Sequence, residues 1–167
     1  MSKYEEICAA YAKARKTWEE HRQTCRDYVL QVLDRLVTDM EMPRDNLLLL
    51  PTNVSYDSSK AGPIEEMLCY GADGAFHTRL GFRVRLAADN PMTEVLLLRL
   101  SVLRNPAGFE FRFEGLNDPI RMPPEFDPQN KGYLSFLAYV MKRSISTYSD
   151  QDHRYSDQPD NPRSLSR

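Results

Sequence analysis

The chain has 167 residues, with 41% hydrophobic and 28% charged content and a formal net charge of -2. At that length folding buries roughly 70% of the unfolded surface, so one core is enough; the near-balanced charge argues neither for a general nucleic-acid binder nor for an acidic disordered tail. No stretch approaches the ~20 apolar residues of a membrane span, and the opening Met-Ser-Lys-Tyr-Glu-Glu has no apolar signal core, so a cytoplasmic protein away from membranes is expected.

Ser2 followed by Glu5 is a capping-box pattern. From Tyr4 onward Ile7, Tyr11, Ala14, Trp18, Cys25, Val29, Val32, Leu36 and Met40 recur at helical spacing, which predicts a helix over 3–40 ended by Pro43. Its first half carries a narrow stripe, whereas Tyr28, Val29, Leu30, Val32, Leu33, Leu36, Val37 and Met40 make the second half apolar on most sides, as a core helix is. A strand is expected at 46–50, then a polar, serine-rich loop at 54–63. The region 76–86 alternates strictly: Phe76, Thr78, Leu80, Phe82, Val84 and Leu86 on a buried face, His77, Arg79, Gly81, Arg83 and Arg85 toward water. Asp73-Gly74 joins it back to a short strand at 67–70, and Asp89-Asn90-Pro91 turns it into a strand at 94–104. Asn105-Pro106-Ala107-Gly108 is the next turn, and Phe109, Phe111 and Phe113 alternate with charges. Four prolines between 115 and 128 predict an ordered crossing loop, followed by an amphipathic helix at 128–146 containing Tyr133, Leu137, Val140 and Met141. Residues 147–167 read as a flexible polar tail in which Tyr-Ser-Asp-Gln occurs twice.

The expected fold over 1–146 is therefore α+β: an antiparallel meander of about five strands at 46–114, with the long N-terminal and the C-terminal helix on one face. A four-residue turn at 105–108 places Arg99 across from Glu114 outside, and Val102 against Phe111 and Leu100 against Phe113 inside.

No motif carries catalysis, metal or cofactor. Cys8, Cys25 and Cys69 are odd in number and widely spaced, as reduced thiols are. A Cys69–His77 catalytic pair fails on strand phase, since Cys69 is expected to face Thr78 or Phe76 on the buried side while His77 points out. His21 and His153 have no metal-ligand spacing, and no P-loop, dinucleotide glycine pattern or nucleophile elbow occurs. Two surfaces remain. Arg79, Arg83, Arg85, Arg99 and Arg112 fall on the solvent side of three strands and offer forked donors for phosphate, an acidic peptide or a nucleic-acid backbone, or else simply solvate the sheet beside Glu94, Glu110 and Glu114. Val95, Leu97 and Leu103 also point outward and call for a cover, either the crossing loop or a partner protein.

The other surface is the first half of the long helix. About 38 helical residues extend about 57 Å, against about 33 Å for ten-residue strands, so the helix overhangs its sheet. The stripe of Tyr4, Ile7, Tyr11, Ala14 and Trp18 then suits burial against another protein or a second copy, unless a break near 21–24 folds it back. These features point to a non-enzymatic interaction module of chaperone, adaptor or inhibitor type acting through helix and outer sheet face. A phosphate or nucleic-acid binder is the alternative, and an enzyme with a dispersed active site comes third.

Overall fold

The computed structural model describes residues 2–53, 55–85 and 93–149. The expected Asp89-Asn90-Pro91 turn, His153 and the expected tail from residue 150 onward lie outside them, whereas residues 147–149, also expected in the tail, belong to the C-terminal helix. The architecture is α+β: a long N-terminal helix, a six-stranded antiparallel sheet and a C-terminal helix.

Helix α1 runs unbroken over Lys3–Asp39, with no break near 21–24. Ser2 opens it with the capping box the sequence announces, its Oγ accepting from the Glu5 N–H while the Glu5 carboxylate accepts from the Ser2 N–H. It ends in a tight reversal in which Glu41 N–H donates to Thr38 O at 3.1 Å and Met42 N–H to Val37 O at 3.2 Å, with Glu41 at φ 51°. Those two bonds satisfy carbonyls that the helix end would otherwise leave bare.

The sheet contains β1 (Leu47–Leu50), β2 (Cys69–Tyr70), β3 (Phe76–Arg85), β4 (Thr93–Asn105), β5 (Gly108–Phe113) and β6 (Ile120–Met122), in the order β1-β3-β4-β5-β6, with β2 also paired to β3. A one-turn helix α2 (Ile64–Met67) precedes β2, and α3 (Lys131–Ser149) follows β6. Leu100 faces Phe113 and Val102 faces Phe111, the expected register. Two expectations need correction. The proline-rich segment 115–128 contains β6, because Pro119 and Pro123 flank the three-residue strand rather than interrupt it and the strand lies at the sheet edge, where a missing N–H is tolerated. The C-terminal helix begins at Lys131, three residues later than expected, after a turn at 127–130 in which Asp127 Oδ1 accepts from Gln129 N–H and Asn130 Oδ1 from Gly132 N–H.

One face of the sheet carries the main core. Phe76, Leu80, Phe82, Leu96, Leu98, Leu100, Val102, Phe109, Phe111 and Phe113 pack under Cys25, Val29, Val32, Leu33 and Leu36 of α1 and Tyr133, Phe136 and Val140 of α3. Tyr28 OH donates to Pro123 O at 2.7 Å, and Tyr133 OH to Asp39 Oδ2 at 2.7 Å, so each buried phenol also ties a helix to another element. On the other face Leu48, Leu50 and Val95 form a small second cluster, closed by Tyr56, Ala61 and Leu97. The cover over Val95 and Leu97 is thus the segment between β1 and α2, not the crossing loop.

Candidate functional site

Every described residue from Ser2 to Thr17 is exposed, and Trp18 is the first α1 side chain to touch the body. At 1.5 Å per residue, about 22 Å of helix stands clear of the sheet. Along it Tyr4, Ile7 and Tyr11 keep 74%, 67% and 66% of their surface in water. The 4-7-11-14-18 spacing is the three-four alternation that places side chains on one seam. The four predicted seam residues therefore divide. Tyr4, Ile7 and Tyr11 are open, whereas Trp18 lies edge-on to Tyr70 at 4.4 Å and stacked over Phe76 at 5.9 Å, anchoring the free half to the end of the sheet.

The five predicted arginines do not form one cationic face. Arg79 is 2% exposed and donates its Nε–H to Pro51 O at 2.8 Å, because the chain leaving β1 turns over β3 and encloses it; it is no ligand-facing cation. Arg83 donates to Asp45 O at 3.2 Å. Arg99 stands 3.5 Å from the Glu114 carboxylate, the cross-strand pair expected from the sequence, and Arg112 donates to Glu110 at 2.8 Å. Arg85, exposed at the end of β3, follows Arg83 on the same face of the strand. Ion pairs thus offset Arg99 and Arg112, leaving a mixed-charge surface of the kind that binds phosphate weakly.

The phase assigned to Cys69 needs correction. β2 and β3 are joined by five residues, Cys69 pairs directly with His77 and Tyr70 with Phe76, and an odd-length connection shifts the register by one, so Cys69 and His77 share a face. They still do not form a catalytic pair. The Cys69 thiol lies 3.9 Å from Glu66 O, and both nitrogens of His77 are taken: Nε2 by Asp73 Oδ1 at 2.9 Å, Nδ1 by Ser101 Oγ at 2.8 Å. The imidazole holds the Asp73 carboxyl below its ordinary range, and the Ala75 N–H adds to the effect. With Asp73 ionised, Nε2–H donates to it and Nδ1 accepts the Ser101 hydroxyl proton. Gly71 makes this possible, since a Cβ there would stand 2.6 Å from His77 Nε2 and 2.6 Å from Asp73 Oδ1.

The chain Ser101–His77–Asp73 has the order of nucleophile, base and orienting acid, and no local motif announced it because the three residues lie on a loop and two strands. Ser101 sits inside β4, which is paired on both sides, to His77 and to Arg112, so the backbone at the serine itself is committed to the sheet ladder. The chain clips the 71–75 loop onto the sheet. Among the described residues no group of three His, Cys, Asp or Glu is arranged to hold a metal, and no helix is long and apolar enough to cross a membrane. No protein family, curated protein or solved structure matches this chain.

Proposed function

We propose that this protein is a non-enzymatic interaction module that grips another protein chain along the projecting first half of α1. The observation that carries the reading is the open seam of Tyr4, Ile7 and Tyr11 on a helix that leaves its own sheet at Trp18. Large aromatic side chains held on a rigid element lose little entropy on contact and bury much area, which makes them good anchors. A free helix of about 15 residues is marginal in water, so a partner would also stabilise the element that binds it.

A second copy is the simplest partner. If two copies run antiparallel about a two-fold axis near Tyr11, Tyr4 of one lies beside Trp18 of the other, close to Tyr70, which is half exposed. The same arrangement sets Glu5 and Glu6 against the Lys13, Arg15 and Lys16 stretch, whereas a parallel pairing stacks the three basic residues on one another. The pairing of Arg99 with Glu114 and of Arg112 with Glu110 favours this reading over phosphate or nucleic-acid binding by the sheet.

Sedimentation of the wild type and of a Tyr4→Glu, Ile7→Glu, Tyr11→Glu variant tests it. The expected result is a dimer that becomes a monomer in the variant while the sheet and core keep their thermal midpoint. A wild-type chain that stays monomeric at hundreds of micromolar overturns self-pairing. A variant that is as dimeric as the wild type removes the seam from the interface.

A further inference from the structure

At one end of the sheet α1 and the β4–β5 hairpin part around an open cleft of about 300 Å³. Its walls include His21 and Thr24 of α1, Asn105 and Phe109 of the hairpin, and Pro124. The residue out of place is Arg104. The inward phase of β4 runs Leu96, Leu98, Leu100, Val102 and then Arg104, so the row that carries the core ends on an exposed cation. The nearest acid along the hairpin, Glu110, is two-sidedly engaged elsewhere, by Arg112 at 2.8 Å and Arg121 at 3.8 Å. Among the described residues no acid pairs with the Arg104 side chain, whose charge is felt at His21 and Cys25. Arg104 is exposed at the mouth of the cleft, so its donors stay open to solvent, and an anion placed on them gains a counter-charge that no acid among the described residues supplies.

We propose that this cleft binds a small ligand through an anionic group, phosphate or carboxylate, seated on the Arg104 guanidinium with the His21 imidazole beside it. A planar fork of donors suits either oxyanion, and a cleft of this volume holds a small metabolite-sized body over Phe109 and Pro124. His21 packs against Trp18 at 6.0 Å and Phe76 at 5.7 Å. Burial and then the Arg104 charge hold its pKa below the ordinary histidine range. The titratable groups around it are Arg104 from β4, Cys25 one turn on in α1, and Tyr70 from β2 behind Trp18; Phe76 of β3 adds no charge. An anion on Arg104 reverses the dominant field at His21, so binding raises the His21 pKa and strengthens as pH falls through its titration.

The test is a titration of the full chain at low ionic strength with inorganic phosphate and, separately, with succinate, followed by the ring signals of its three histidines. Saturable movement of the His21 signals, with a raised His21 pKa, is expected for at least one anion, while His77 stays fixed. Response to phosphate alone assigns a phosphoryl ligand, and response to succinate alone assigns a carboxylate. Arg104→Ala should weaken binding about tenfold or more, with the His77 signals and the thermal midpoint unchanged to show that the fold is intact. No saturable movement by tens of millimolar of either anion, equal movement of all three histidines, or an undiminished response in Arg104→Ala overturns the proposal.

Discussion

Glu41 is the residue whose backbone disagrees most with its side chain. Its φ of 51° lies in the left-handed region, where a Cβ costs about 1 kcal/mol relative to glycine, yet the position closes both terminal bonds of α1. Glu41→Gly should therefore stabilise the fold by about 0.5–1 kcal/mol, a rise of about 1–4 °C in Tm, and a calorimetric scan that shows no rise would mean the reversal is not strained. Nothing in the sequence marked it, because helix ends of this kind are recognised by glycine or asparagine and here only Pro43 showed where the helix must stop. The cysteines were more legible. Burial pushes the Cys25 thiol up to about 11, while Cys8 stands exposed on the free half of α1. Iodoacetamide at pH 7.5 should label Cys8 within minutes and Cys25 only on unfolding, as peptide mass mapping would show. Equal labelling rates would contradict the packing of α1.

At the scale of elements, legibility followed length and repetition. α1, β3, β4 and β5 repeat their period often enough to be read, and the Phe111 and Phe113 register followed from one turn. β6 is three residues long, too short to show a period among its prolines. The cover over the outer face rests on only Tyr56 and Ala61 within a polar segment, a signal no periodicity test detects. The side chains of the two flanking strands explain a glycine in mid-strand: a Cβ on Gly81 would stand 3.0 Å from Val95 Cγ1 and 3.1 Å from Leu50 Cδ1. Gly81→Ala should cost about 1–3 kcal/mol of stability through overpacking, measured by urea unfolding; a neutral result would show that the β1 edge can shift. In hydrogen exchange at low concentration, amides of residues 25–36 should outlast those of 6–17 by orders of magnitude. Raising the concentration should protect the second set if self-pairing occurs.

For the whole molecule, two phenols fasten the helices to the rest of the fold. Burial pushes the Tyr28 phenol up to about 12, and burial together with the Asp39 carboxylate pushes Tyr133 up as well. An acid whose folded pKa is raised stabilises fully below its unfolded value near 10 and loses that contribution as pH climbs toward the folded value. Stability should thus fall between pH 10 and 12, and Tyr28→Phe should flatten the fall; urea midpoints across that range would decide. The exposed stripe of α1 was visible in the sequence because its three-four spacing persists for five positions. The Arg104 cleft was not, because it exists only where α1, the β4–β5 hairpin and the crossing segment converge. Trp18, the chain's single tryptophan, sits where the free and packed halves of α1 meet, with the Tyr70 ring 4.4 Å away. The protein therefore carries its own optical reporter at that junction: its emission should move to shorter wavelength as a partner helix shields the indole, so unlabelled material can be read by fluorescence alone.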